Sequence, residues 1–122
     1  MTIGSTTRDG LIAGNYPLVA IEIKVAGASG GTPTEFLRGD VVGITSDGRY
    51  ILADSTATNG SQNVVGIICD DVKVESGAEA VTTMYIKGEF NQRFMRFGGN
   101  DTVERHSRRM IEIGLIPRET RI

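Results

Sequence analysis

Polar and apolar residues alternate most cleanly between Leu18 and Val25, where Val19, Ile21, Ile23 and Val25 share one parity and Ala20, Glu22 and Lys24 the other. A period of two over this length predicts a strand with one buried face. The run Val64-Val65-Gly66-Ile67-Ile68-Cys69 has no polar interruption and is rich in β-branched residues, so it predicts a strand buried on both faces. From Val81 to Phe90 the pattern alternates again. Met84, Ile86 and Phe90 fall on the parity expected to face a core, and Thr83, Tyr85, Lys87 and Glu89 on the other. Asp70-Asp71 and Glu75-Ser76-Gly77 supply turn chemistry between these two runs.

Ser46-Asp47-Gly48, set between Val41-Val42-Gly43-Ile44 and Tyr50-Ile51-Leu52, is the Asp-Gly signature of a tight hairpin. The stretches from Gly27 to Pro33 and from Asp54 to Asn63 are Gly-rich or unpatterned and predict surface loops. Beyond Gly98-Gly99-Asn100 a helix is expected, with Asp101 as N-cap and Glu104 three residues on. Val103, Met110 and Ile111 would share its apolar face, Arg108 would pair with Glu104 and Glu112, and Gly114 would end it before Pro117. Leu115-Ile116 then add a short strand or dock into the core. The expected fold is mainly β, a β-rich α+β chain forming a compact small barrel-like or sandwich-like domain with one short C-terminal helix.

Residues 1 to 15 offer only Ile3, Leu11 and Ile12 as sizeable apolar groups among Gly, Ser, Thr, Asp and Asn. Such a segment cannot repay its ordering entropy alone, so residues 1–17 are expected to form a flexible N-terminal arm and residues 18–122 a single β-rich domain.

Length and charge narrow the function. A domain of 122 residues without Trp, with three Tyr and four Phe, has a modest monomeric core, and help from an oligomeric interface is expected. The net charge of −2 argues against a non-specific nucleic-acid binder. The charge is uneven, however: residues 1–90 hold six Lys and Arg against eleven Asp and Glu, while residues 91–122 hold seven against four. Cys69 is the single cysteine and sits in an apolar run, which points to a small buried hydrophobe in a reducing compartment. Neither a secretory leader nor a membrane span is read from the sequence.

Catalytic candidates are thin. His106, the single histidine, lies between Arg105 and Arg108, where a solvated helix face is expected. Asp70 and Asp71 point to opposite faces if extended, and Asp40 and Glu89 have no acid–base partner nearby in sequence. Arg38-Gly39-Asp40 matches a cell-adhesion tripeptide, but Gly before a strand has its own conformational reason. No enzyme, cofactor or metal site is expected. Arg93, Phe94, Arg96 and Arg118 belong to the basic C-terminal quarter, whose composition favours contact with a protein partner.

The order of pieces carries a resemblance. The polar arm, Gly14-Asn15-Tyr16-Pro17, Leu37-Arg38-Gly39-Asp40-Val41-Val42-Gly43, Gly48-Arg49-Tyr50-Ile51-Leu52, Val65-Gly66-Ile67-Ile68 with Asp70-Asp71, and Gly88-Glu89-Phe90-Asn91 together resemble the bacteriophage head decoration family, the lambda head protein D-like proteins. The ending from Arg109 to Ile116 is similar too. The resemblance implies a homotrimer on the outer surface of the virion capsid, made in the host cytoplasm, that cements the expanded shell of the major capsid protein. It implies no membrane and no direct nucleic-acid partner, and it gives the arm the capsid-binding role, with Thr2, Ile3, Thr6, Thr7, Leu11, Ile12, Tyr16 and Pro17 as the residues concerned. The rival reading is a ligand- or sugar-binding β-module of a phage tail or surface structure, against which the missing Trp argues.

Overall fold

The apolar run after Asn63 becomes β5 (Val64–Ile68), and its neighbours explain why it tolerates no polar residue. In the computed structural model, which describes residues 10–14, 17–28 and 30–119, β5 lies inside a six-stranded sheet. It pairs antiparallel with β3 (Val41–Ile44) on one side and with β7 (Glu79–Asn91) on the other. The sheet continues to β4 (Tyr50–Leu52) beyond β3 and to β1 (Val19–Ala26) beyond β7, so β1 is an edge strand. β2 (Thr34–Phe36) and β6 (Val72–Val74) form a separate two-stranded ribbon. The helix α1 (Val103–Ile113) is followed by β8 (Leu115–Arg118), which pairs parallel with the end of β7. The fold is mainly β with one short helix, as the sequence pattern indicates.

Alternation along the central strands builds two cores, one on each face of the sheet. Val41, Ile67 and Tyr85 join Met110 of α1 and Leu115 of β8 on one face, while Val42, Ile68 and Met84 join Phe36 and Val74 of the ribbon on the other. Gly66 has no side chain for a plain reason. A Cβ there would collide with the side chain of Met84 on the neighbouring strand.

The alternation predicted for β7 does not hold along its whole length. Phe90 was expected to share a face with Met84, and Tyr85 to lie on the opposite, polar one. Instead Tyr85 and Phe90 occupy the same core with ring centroids 5.2 Å apart, and Met84 belongs to the other core. Five residues separate the two rings, so a regular strand would point them apart. A bulge resolves this: Ala20 pairs with Tyr85 but Val19 pairs with Lys87, which inserts one extra residue into β7 and reverses the parity beyond it. Gly88 follows at a φ of +152°, a conformation that L side chains rarely adopt, with Leu18 and Phe90 packed where a Cβ would be.

Other expectations fare differently. The hairpin forms at Asp47-Gly48, with Ile44 paired to Tyr50 and the Gly48 N–H donating to the Thr45 carbonyl. Gly114 ends α1 in the left-handed conformation. The N-cap, though, is Thr102 and not Asp101, and the buried face of α1 carries His106 and Met110 while Ile111 points to solvent. Arg108 pairs with Glu112 at 3.7 Å on the exposed side. β6 was hidden in a stretch that reads as turns. Along β1, Ile23 and Val25 are buried beneath the ribbon as expected, but Val19 and Ile21 are exposed.

The arm does not detach at residue 17. Leu11, only 1 % exposed, inserts into the core beside Phe90. Its carbonyl accepts from Asn91 N–H, Ile12 forms an antiparallel bridge with Phe90, and Ala13 N–H donates to the Glu89 carbonyl. Residues 11–13 therefore act as a strand segment of the domain. Replacing Leu11 by Ala is expected to cost about 2–5 kcal/mol, the range for emptying a fully buried leucine site. A urea denaturation midpoint unchanged from the parent would show that the segment contributes nothing to the core.

Candidate protein-interaction pole

Register places both ends of the described chain at one pole. Residues 10–13 run antiparallel to β7, so moving back toward Gly10 leads past Asn91; β8 runs parallel to β7, and Arg118 lies opposite Asn91. The chain thus enters and leaves at the Asn91 end of β7. There it meets a single 3-10 turn, Gln92–Phe94, which is capped by the Asn91 side chain accepting from Arg93 N–H.

Phe94 and Arg93 stand at the surface of this turn. Phe94 is 44 % exposed, and its ring lies over Gly10, where an added Cβ would sit 3.0 Å from Cε2. Arg93 is exposed, and its guanidinium has no ion-pair or hydrogen-bond partner among the described residues. Leu37, also exposed, lies on the neighbouring turn, whose Gly39 abuts the Phe94 carbonyl.

Arg96 and Arg118 are engaged within the fold. Arg96 Nε and Nη2 donate to the two oxygens of Asp40 at 2.6 and 2.7 Å, and the backbones of residues 96 and 40 form a parallel bridge. Asp40 is 1 % exposed, and its second oxygen also accepts from Leu37 N–H. The bidentate fork therefore neutralises a buried carboxylate and fixes the segment after the 3-10 turn to the start of β3. This pairing raises the Arg96 guanidinium above its ordinary value. Arg118 Nη1 donates to Glu89 Oε1 at 2.7 Å across the strand end, beside Gly14.

The Arg38-Gly39-Asp40 tripeptide is closed to adhesion chemistry by the same contacts. Arg38 Nη1 donates to the Cys69 carbonyl and the Tyr85 hydroxyl, at 2.9 and 3.0 Å, while Asp40 is buried under Arg96. Burial pushes the Cys69 thiol up to about 11, which makes it a poor nucleophile.

His106 departs from the expected solvated position. It is 2 % exposed, stacks coplanar with Phe97 at a centroid distance of 5.0 Å, and bonds Asp101 Oδ2 through Nε2 at 2.6 Å. Ser55, from the loop after β4, donates to the same carboxylate through its N–H at 2.5 Å and its hydroxyl at 2.8 Å. Burial alone would raise the Asp101 carboxyl, but the Ser55 N–H, the imidazole and the Ser55 hydroxyl outweigh it and hold it below the usual carboxylate range. Serine bonds the carboxylate and not the imidazole, so the trio lacks the nucleophile–base contact of a hydrolase. It is a structural latch between α1 and the loop after β4.

Of the arm residues, Thr2, Ile3, Thr6, Thr7 and Tyr16 lie outside the described residues. Leu11 is core, Ile12 is half-buried against it, and Pro17 is exposed. Among the described residues no group of three potential metal ligands comes together, and no helix is long and apolar enough to cross a membrane. Reading the sequence alone did not place Leu37 and Met95 at this pole, because single apolar residues in turns carry no periodic signal, and it assigned Val103 only to the apolar face of the helix.

The family model of bacteriophage lambda head decoration protein D matches residues 2–108. The chain belongs to that family. The match spans most of the domain and includes the arm, so this is a phage head decoration protein and a component of the virion capsid. The family is one of structural head proteins. Among curated proteins, no relative matches the sequence.

The Asp101 latch sets a pH dependence. A carboxylate whose folded pKa is depressed contributes fully above its ordinary value, near pH 4, and loses its contribution as pH falls through the folded value. Asp101→Asn is expected to lower the melting temperature at pH 7 and to flatten its decline as pH falls below about 4. An acid limb as steep as the parent's would exclude Asp101 as its source.

Proposed function

We propose that the chain is a capsid cement protein: a trimer that binds the outer surface of the expanded head and stabilises the shell of the major capsid protein. The convergence of the first and last described segments with the exposed Arg93–Phe94 ridge at one pole supports this reading most directly. A pole that gathers the arm root and an uncovered aromatic–arginine pair suits protein contact, since exposed aromatic and arginine side chains are enriched at interfaces.

Residues 2–9, with Thr2, Ile3, Thr6 and Thr7, would reach from Gly10 to the shell. Such a polar segment binds by adding a strand to an exposed sheet edge, where backbone hydrogen bonds supply affinity with little demand on side chains. Three arms on one trimer raise each other's effective concentration, so weak single contacts sum to firm attachment. Binding the assembled shell in preference to its separated subunits then stabilises it by mass action against internal pressure and heat. Synthesis in the host cytoplasm agrees with one buried thiol and no disulfide requirement.

The trimer contact is assigned to the open edge of β1. This eight-residue strand has no neighbour on its outer side among the described residues, and Leu18, Val19 and Ile21 stand exposed along it. Unprotected apolar edges of this kind associate.

Deleting residues 2–9 is expected to leave a folded trimer that no longer binds expanded heads in co-sedimentation. Normal head occupancy by the truncated protein would remove the arm from the mechanism. Ile21→Lys, on an exposed position, is expected to shift the purified protein from trimer to monomer in analytical ultracentrifugation with its circular dichroism unchanged. Retention of the trimer would place the subunit contact elsewhere.

A further inference from the structure

A groove of about 490 Å³ lies between the segment following β7 and the first turn of α1. Met95, Phe97 and Val103 supply its apolar part, and Arg93, Arg96, Asp101 and Glu104 its charged part. Resting on the cement-protein reading, we propose that this groove is a second shell contact, separate from the arm, and that it receives a capsid-protein segment bearing an apolar side chain beside a carboxylate.

The charge arrangement selects that occupant. Arg93 is an exposed guanidinium with no ion-pair or hydrogen-bond partner among the described residues, and a planar fork of this kind matches a carboxylate. Arg96 beside it is already oriented by its two bonds to Asp40, yet its side chain remains 49 % exposed, so its outer edge is presented without further ordering. Asp101 and Glu104 stand on the helix side of the same groove and repel an incoming carboxylate there. The anionic group is thus directed to the arginine side, and the apolar group to Met95, Phe97 and Val103. A basic or uncharged segment would leave Arg93 unmatched.

Position relative to the arm supplies the second argument. Residues 1–9 join the domain at Gly10, which packs under Phe94, one residue from Arg93. Whatever the arm reaches, the groove lies beside its root. A shell segment held there would share the arm's footprint, and the two contacts would reinforce each other as linked sites do.

The test uses undecorated expanded heads and three full-length proteins: the parent, Arg93→Glu and Arg108→Glu. Arg108 is a control on the exposed side of α1, where it pairs with Glu112. Arg93→Glu is expected to need about tenfold more protein for half occupancy and to lose part of the parent's salt dependence, as reversal of an interfacial charge does. Arg108→Glu is expected to bind as the parent. Equal occupancy and salt dependence for Arg93→Glu and the parent would overturn the groove while leaving the cement reading intact. Failure of the parent itself to bind heads would overturn that reading and the groove with it. Since Arg93 is exposed, an unchanged melting temperature for Arg93→Glu establishes that a binding loss is not a folding loss.

Discussion

The bulge in β7 is the constraint on which the rest of the molecule depends. One strand of 13 residues serves two neighbourhoods, pairing first with β1 and β5 and then with residues 11–13 and β8. Without the extra residue opposite Val19 and Ala20, Phe90 would turn to the face occupied by Met84 and Ile68. The core beneath α1 would then lose its largest fully buried side chain. Leu11, Leu115 and Met110 all pack in the cluster that Phe90 completes, so the first and last described segments depend on this reversal.

Much of the fold was legible because it follows from short-range chemistry. β5 reads as doubly buried because its neighbours on both sides and both cores demand apolar residues, and Asp47-Gly48 reads as a hairpin because few sequences fit that turn. What was not legible depends on one-residue offsets or distant partners. The bulge changes parity without leaving a mark in the alternation of Met84, Ile86 and Phe90. His106 looked solvated among arginines because Ser55, 46 residues before Asp101, is what completes its buried partner. The capping-box reading of Asp101 failed for the same reason: its oxygens are taken by Ser55 and His106. Leu11 read as arm because its segment is polar on average, although a single leucine over Phe90 suffices to anchor three residues.

The interaction pole was only half visible in the sequence. Arg93, Phe94, Arg96 and Arg118 stood out as a basic and aromatic set, and all four lie near the Asn91 end of β7. Their chemistry divides once the partners are known. Arg96 and Arg118 face internal carboxylates and hold the pole in shape, whereas Arg93 and Phe94 face outward. The sequence shows four similar candidates because the partners Asp40 and Glu89 lie 56 and 29 residues away.

That division bears on how a small domain would grip a large shell. A contact made only by a polar arm loses backbone entropy with every residue ordered, about 1–2 kcal/mol each, and keeps little affinity per residue. A contact made on a surface already fixed by the Asp40–Arg96 fork carries no such ordering cost at that arginine. If both proposed contacts hold, joining them through Gly10 would let the rigid surface keep the arm's root near the shell while the arm extended the footprint. Only seven residues separate Gly10 from Leu18, where the exposed edge of β1 begins, so one short stretch of chain links the proposed shell contact to the proposed subunit contact. Leu11, buried in the core beside Phe90, fixes that stretch to the domain near its start.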